Sequence, residues 1–352
     1  MKNFTMILAF MLFATISTKA TVWIVNNNSA NNSAANFTSL QAAVDSASVG
    51  DTLYVSGSPL SYGYINVDKQ LVFIGEGYHH IGGKYSTTVS TFYLKDKIDD
   101  LNQFIRNANG CVFTGFDCSI SSSIDGISNI SIIRNKVSIG YKGTSSYPAT
   151  NWIIINNIIS YLSYNAYSPY SNNFLILNNI FSTSGSIYIS GAIIKNNLFF
   201  KPFSYSNNTI SNNIFYGVSP TGSNNSSFKN NLSYASGKSI TTNFDFSSNN
   251  IDTNNVENQD PKFVDMPATT SPDFNYAHDY HLQSTSPAIG AGVDGTDIGI
   301  YGGNYPFPYG GPIPMQTSAV PAIPQITDLE ITNTIVPIDS ALHINLKARI
   351  RN

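Results

Sequence analysis

The stretch Phe174-Leu175-Ile176-Leu177-Asn178-Asn179-Ile180, residues 174–180, decides the fold of this chain. Its pattern is an apolar run, then one or two asparagines, then another aliphatic residue, and the pattern occurs seven times between residues 135 and 250. The asparagines that anchor the copies are Asn135, Asn156, Asn178, Asn196, Asn212, Asn230 and Asn249. Their spacing averages about 19 residues, which is typical of a solenoid of stacked coils.

Alignment of the copies on these asparagines gives two apolar columns that we expect to face a core. Two residues after the anchor stand Val137, Ile158, Ile180, Leu198, Ile214, Leu232 and Ile251, and two residues before it stand Ile133, Ile154, Ile176, Ile194, Ile210 and Phe228. Polar residues alternate with both columns, which indicates short strands. Asparagine suits a bend between strands because it tolerates left-handed backbone. The seven anchoring asparagines are predicted to form a hydrogen-bonded ladder.

One helix is predicted near the start of the chain. The segment Thr38-Ser39-Leu40-Gln41 has the pattern of a capping box, and apolar residues then recur at helical spacing until Gly50. An open solenoid exposes an apolar cross-section at its end. We therefore expect this helix to cover the first of roughly ten coils.

Both ends of the predicted solenoid carry further sequence signatures. Near the start these are FTSLQAAV (37–44), GDTLYV (50–55) and LVFIGEG (71–77), and near the end DPKF (260–263), DYHL (279–282), SPAIGAG (286–292) and DIG (297–299). Together they resemble the right-handed parallel β-helix proteins of the pectin-lyase-like superfamily. The resemblance implies an all-β, right-handed parallel β-helix over residues 21–302, in a superfamily that contains polysaccharide lyases and glycoside hydrolases.

The two ends of the chain differ from the repeats. Residues 1–20 have the pattern of an export signal with cleavage after Ala20, which predicts a periplasmic, cell-surface or extracellular protein with no transmembrane segment after signal removal. Residues 303–324 form a Pro/Gly-rich linker. Residues 325–352 are expected to form an alternating strand and its hairpin partner, and we expect this hairpin to pack on the solenoid, another domain or a partner chain.

Composition narrows the classes of ligand. The chain has 18 basic and 21 acidic side chains and a net charge of −3, which argues against nucleic-acid binding because that function requires a basic face.

The two cysteines, Cys111 and Cys118, are expected to be buried free thiols, with a disulfide as the alternative, since an extended segment would hold them some 20 Å apart.

Catalytic signatures are sparse in the central coils. Between residues 119 and 244 the only acidic residue is Asp125, whereas glycoside hydrolases need paired carboxylates. The same stretch lacks a carboxylate cluster for Ca²⁺, so no cofactor or metal site is predicted. A lyase would have to use Arg134, Lys136 or Lys142 as its base. Two polar clusters remain. A solvated loop is expected for the first, with a metal or acid-base site as the alternative: Asp96, Asp99, Asp100 and Arg106. Structural hydrogen bonding is expected for the second, with cation binding as the alternative: His278, Asp279, His281, Asp294 and Asp297.

The strongest candidate for ligand binding is a set of tyrosines. Tyr161, Tyr164, Tyr167 and Tyr170 recur every three residues, and later coils carry Tyr188, Tyr205, Tyr216 and Tyr234. Tyrosine presents a flat ring and a hydroxyl that suit sugars, although packing of loops on the solenoid is the alternative. We therefore expect a non-catalytic exported module that binds polysaccharide or serves as an envelope scaffold. The alternative is a lyase or glycoside hydrolase with atypical active-site residues.

Overall fold

The computed structural model describes residues 20–79, 85–98, 104–164, 171–182, 187–201, 203–218, 225–238, 249–267, 269–307, 324–331 and 344–350. In these residues the chain is a parallel β-helix, with one helix, α1 (Leu40–Ser46), and thirty strands numbered in chain order. Each coil adds one strand to an eleven-stranded parallel sheet, here called the first sheet. Its strands are β1 (Val22–Val25), β2 (Thr52–Val55), β4 (Val72–Gly75), β8 (Val112–Thr114), β10 (Ser131–Ile133), β13 (Ile153–Ile155), β16 (Phe174–Leu177), β19 (Ala192–Lys195), β22 (Thr209–Ser211), β24 (Ser227–Lys229) and β26 (Ile251–Thr253).

A nine-stranded parallel sheet, the second sheet, forms another wall of the solenoid. Its strands are β3 (Tyr64–Val67), β5 (Thr88–Leu94), β9 (Asp117–Ser122), β11 (Lys136–Tyr141), β14 (Ile158–Tyr164), β17 (Ile180–Phe181), β20 (Leu198–Phe199), β23 (Ile214–Tyr216) and β25 (Leu232–Tyr234). Short parallel pairs join β12 (Ala149–Thr150) to β15 (Ser171–Asn172) and β18 (Ile187–Ser190) to β21 (Phe203–Ser206). The first sheet has eleven strands, one from each coil, where the sequence predicted roughly ten coils.

Antiparallel pairs occur outside the two walls. They are β6 (Asp96–Ile98) with β7 (Phe104–Asn107), β27 (Phe263–Asp265) with β28 (Asp279–Leu282), and β29 (Pro324–Ile331) with β30 (Ile344–Ile350). The last pair is the hairpin expected near the end of the chain, with Leu329 opposite Leu346.

The asparagine ladder exists, but it is offset by one residue from the predicted column. It begins at Asn135 and continues through the second asparagine of each pair: Asn157, Asn179, Asn197, Asn213, Asn231 and Asn255. The amide of Asn179, for example, donates to the Oδ1 of Asn197 at 3.0 Å and to the carbonyl oxygens of Ile154 and Leu177. The prediction was wrong after Asn135 because that residue follows Arg134, whereas later ladder members follow another asparagine.

The first asparagine of each pair makes the bend instead. Asn156, Asn178, Asn196, Asn212 and Asn230 have φ angles of 50–56°, in the left-handed region that asparagine tolerates. Asn249 belongs to a different column, because it precedes a strand of the first sheet as Asn225 and Asn207 do. The two asparagines of a pair therefore have separate roles: the first turns the backbone, and the second fills the polar core of the turn.

The predicted apolar columns divide between two hydrophobic clusters. Ile154, Ile176, Ile194, Ile210, Phe228 and Val137 lie in the solenoid interior. Ile158, Ile180, Leu198, Ile214 and Leu232 are buried and stacked, but on the outer face of the second sheet, beneath residues 263–307. Ile133 and Ile251 do not follow the expectation, since Ile132 takes the inner place and Ile251 is 56% exposed.

Residues 291–305, here called the strap, run back along five coils. The side-chain amide of Asn230 donates to the carbonyl of Ala291, and at the other end that of Asn156 donates to the carbonyl of Tyr305. Between them, Asn178 binds the carbonyls of Ile300 and Gly302 at 2.9 and 2.8 Å. The bend asparagines are therefore also the anchors of the strap.

Helix α1 covers the first coil as expected, with Leu40, Ala43 and Val44 buried. Its N-cap is Ser39 rather than the expected Thr38, because the Ser39 side chain accepts the N–H of Ala42. At the other end, the buried Lys69 ammonium donates to the carbonyls of Val44, Asp45 and Ala47. Lysine thereby satisfies carbonyls that a helix end leaves without partners.

Acid should open the first coil by protonating Asp51. Burial alone would raise the pKa of this carboxyl, but N–H donors of Thr21, Trp23 and Ser48 outweigh burial and hold the pKa below its ordinary value. The stabilisation is therefore complete above the ordinary carboxyl pKa and is lost as pH falls through the lowered value. The protection factor of the Leu53 amide, which is its exchange rate corrected for the intrinsic pH dependence of exchange, should fall between roughly pH 5 and pH 2. The Asp51→Asn variant should lack this fall, and an identical pH response of the protection factor in both proteins would contradict the assignment.

Candidate functional site

A flat polar surface lies on the outer face of the second sheet, beyond the area covered by residues 263–307. We call it the open face, and its side chains are Tyr64, Tyr93, Ser119, Ser121, Ser138, Ser160 and Tyr161. Tyr64 is 68% exposed and Tyr161 42% exposed. The open face thus presents aromatic rings and hydroxyl groups on consecutive coils.

The local sequence explains where this face ends. One outward row of the second sheet contains Thr88, Asp117 and Lys136 on its first coils and continues as Ile158 and Ile180. The change from polar to aliphatic residues in this row coincides with the start of the covered area. Where this row is polar the sheet remains open, and where it is aliphatic the C-terminal segment covers it. The boundary runs through β14, in which Ile158 is covered and Tyr161 is exposed.

Two tyrosines and two serines of the open face contact each other. The rings of Tyr64 and Tyr93 stack with centroids 6.1 Å apart and an interplanar angle of 20°. On the far side of the face, the hydroxyl groups of Ser138 and Ser160 lie 2.5 Å apart. Because stacked rings and paired hydroxyls lose little freedom on binding, the surface is preorganised for a ligand.

Ionisable side chains meet at the edge of the open face. Lys136 and Asp117 form an ion pair at 2.8 Å, with both side chains partly exposed. Beside them the imidazole of His79 stacks on the ring of Tyr276, with centroids 3.9 Å apart and planes 7° apart. We call these four residues the edge cluster. They come from three coils and the C-terminal segment, so the fold brings together groups far apart in sequence.

The charges of the edge cluster act on one another. Burial lowers the pKa of His79, and the nearby Lys136 ammonium lowers it further, so the imidazole is neutral near pH 7. Burial, followed by Tyr78 and Asp117, raises the pKa of the Tyr276 phenol. The cluster therefore combines a neutral imidazole and a protonated phenol with an ammonium group, all of which can form hydrogen bonds to a sugar.

Only part of the predicted tyrosine set can be placed. Tyr161 belongs to the open face, while Tyr164 ends β14 opposite Tyr141 of β11. Tyr188 lies in β18 opposite Ser204 of β21. Tyr167 and Tyr170 lie outside the described residues. Hence the structure groups Tyr161 with Tyr64 and Tyr93, which the sequence repeat did not single out.

Other candidates have structural surroundings. Tyr216 is 2% exposed and packs on Tyr234 and Phe263 beneath the C-terminal segment. Trp152 is buried, as expected, and its Nε1 donates to the Ile127 carbonyl. The two tyrosines therefore contribute to packing, which was the alternative interpretation.

The predicted polar clusters also form structural bonds. The Asp279 carboxylate contacts the Nδ1 of His281 at 2.8 Å, Asp294 pairs with Lys195, and Asp297 accepts the N–H of Gly290. Asp99 and Asp100 lie outside the described residues. Within the part of the chain that the structure describes, no three His, Cys, Asp or Glu side chains are grouped closely enough to hold a metal ion.

The cysteines are free and buried, as expected. Burial raises the pKa of the Cys111 thiol to about 12 and that of Cys118 well above its ordinary value. Both thiols are therefore unreactive, because the thiolate is the nucleophilic form.

Comparisons with known proteins add no assignment to this geometry. No helix among the described residues is long and apolar enough to cross a membrane. No protein-family model matches the chain, and no curated protein is similar to it.

Proposed function

We propose that this protein is an exported surface module that binds an uncharged polysaccharide along the open face. The observation that carries the proposal is the flat array of exposed tyrosines and serine hydroxyls on consecutive coils. Tyrosine rings cover the apolar faces of sugars, and hydroxyl groups replace the hydrogen bonds of sugar hydroxyls to water. Among the described residues, the ion pair beside this face, Lys136 with Asp117, lies at its edge, which favours a neutral ligand over an acidic one.

Two sequence features support this proposal further. Residues 1–20 have the pattern of an export signal, which would place the protein where extracellular glycans occur. The resemblance of both solenoid ends to the pectin-lyase-like superfamily favours a carbohydrate ligand. An envelope scaffold with a protein partner is the other non-catalytic function compatible with the same surface.

The edge cluster favours a second function, that of a carbohydrate-active enzyme. His79, Lys136 and Tyr276 are groups that can transfer protons, and they adjoin a surface suited to sugars. Proton transfer by positioned side chains is the chemistry that a lyase or a glycoside hydrolase requires. A catalytic role would make the open face a substrate-binding platform.

Removing a single tyrosine from the open face should weaken polysaccharide binding. Tyr64→Ala and Tyr161→Ala are each expected to reduce affinity for a neutral polysaccharide about 5- to 10-fold. This is the change in dissociation constant expected when one aromatic contact is lost. The matched control is Tyr147→Ala, because Tyr147 is also 68% exposed but lies outside the open face. Affinity electrophoresis against neutral and acidic polysaccharides measures the change.

The same incubations distinguish the alternatives. Formation of unsaturated or reducing ends that His79→Gln abolishes would favour the enzyme. Absence of both product and retention on every polymer would favour the scaffold. Equal retention of the wild type and both open-face variants would contradict the proposed binding surface.

A further inference from the structure

The outer face of the first sheet is a second large surface, and it differs in chemistry from the open face. Two outward side chains per strand give 22 positions over eleven strands, of which 13 are aliphatic or tyrosine. These 13 are Val22, Ile24, Tyr54, Val72, Ile74, Val112, Ile133, Ile153, Ile155, Leu175, Leu177, Ile193 and Ile251, of which Ile155, at 8% exposed, is already buried within one copy. None of the 22 is acidic, and two are basic, Lys195 and Lys229. An apolar surface this long marks an interaction site.

We propose that this apolar face pairs two copies of the chain, stacked face to face with their solenoid axes antiparallel. A two-fold axis through the sixth coil, at β13, would place the first coil of one copy opposite the eleventh coil of the other, the second opposite the tenth, and so on. Parallel β-sheets buried on both faces have the same continuous aliphatic composition as these outward columns. Two sheets packed in this aligned manner lie about 10 Å apart, and their side chains interdigitate.

The size of the face is sufficient for a dimer. Eleven strands about 4.8 Å apart span about 48 Å, and the outward residues of each strand cover about 12 Å, hence about 600 Å² per copy. Two copies would bury about 1,200 Å² in total, which exceeds the roughly 1,000 Å² of a specific interface. A groove of about 420 Å³ beside Ile153, Leu175 and Ile193 would receive side chains of the other copy.

The charges select the antiparallel arrangement. Lys229 lies on the tenth coil, so the two-fold axis places it opposite Tyr54 on the second coil of the other copy. Burial of Tyr54, followed by the charge of the nearby Glu76 carboxylate, raises the pKa of that phenol to about 12. A parallel stack would instead bring the two Lys229 side chains together. Opposite charges would meet in the first arrangement and like charges in the second.

Cross-linking of single-cysteine variants of the full chain tests this geometry. Ile153→Cys lies at the proposed two-fold axis and should be joined to its counterpart by a short bis-maleimide, because sheets about 10 Å apart hold facing Cα atoms beyond the reach of a direct disulfide. Val22→Cys and Ile251→Cys, on the first and eleventh coils, should cross-link to each other when mixed and much less when alone. The native thiols do not interfere because both are buried. Preferential self-linking of Ile251→Cys would overturn the antiparallel dimer.

Sedimentation measures the same association without a new thiol. The wild type should sediment as a dimer at tens of micromolar, and Ile153→Glu should raise the dimer dissociation constant about 100-fold, because two carboxylates would meet at the axis. The matched control is Ser119→Glu on the open face, which should remain dimeric. A monomeric wild type at all concentrations, or equal weakening by both variants, would overturn the proposal. A monomer whose retention on polysaccharide depends on Ile153 would assign the face to a glycan instead.

Discussion

The Asn179→Ala variant is expected to lose about 3–5 kcal/mol of unfolding free energy, more than removal of any single surface group would cost. Asn179 is fully buried, and its amide donates to the carbonyls of Ile154 and Leu177 and to the Oδ1 of Asn197. Its own Oδ1 accepts the backbone N–H of Asn157 at 2.9 Å. Alanine would leave these groups buried without partners.

Urea denaturation followed by far-UV circular dichroism measures this loss. The matched control is Asn173→Gly, because Asn173 is exposed, has a φ of 58° and its side-chain amide donates to the Oδ1 of Asn151 at 3.3 Å, while its backbone bond to Gly191 is kept by glycine. Glycine accepts that φ without strain, so the control should change stability by less than about 1 kcal/mol. A loss below about 1 kcal/mol in Asn179→Ala as well would show that the ladder does not stabilise the coils.

The Gly302→Ala variant is expected to detach the strap. A Cβ at residue 302 would lie 1.8 Å from the Asp297 carbonyl oxygen and 2.6 Å from the Asn196 amide nitrogen. Backbone atoms would have to move, and the strap bonds to Asn178 and Asn196 would be lost together. A cost of about 3–5 kcal/mol would expose the aliphatic column of Ile158, Ile180 and their neighbours.

Gly295→Ala is the matched control for the strap. Gly295 has a φ of +74° and open space around the site of a Cβ, so alanine there should cost only about 1 kcal/mol of backbone strain. Limited proteolysis and binding of a hydrophobic dye report strap release. Equal protease resistance of Gly302→Ala and Gly295→Ala would contradict the role of the close contact at residue 302.

The sequence pattern predicted the solenoid, its capping helix and the hairpin, because each depends on local spacing of apolar and turn residues. It did not separate the inner column of Ile176 and Ile194 from the outer column of Ile180 and Leu198, since both columns are aliphatic. The alignment error arose at Arg134, which occupies the bend position that asparagine fills in later coils. A single non-asparagine residue at this position was enough to shift the predicted ladder by one residue.

The candidate site was harder to predict than the fold. Tyr64 and Tyr93 lie in coils before the asparagine repeat begins, so the repeat did not align them with Tyr161. His79 and Tyr276 are almost 200 residues apart and meet only because the C-terminal segment folds back over the second sheet. The usable signal was the row in which Lys136 gives way to Ile158, and this signal requires the strand register.

The strap has a consequence for how the molecule melts. Stacked coils that contact only their neighbours lose their terminal units one at a time. Here five coils, from the one that ends at Asn156 to the one that ends at Asn230, are also joined to one continuous segment. None of these coils can unwind without releasing the same segment, so this half of the solenoid should unfold cooperatively, in a single all-or-none step.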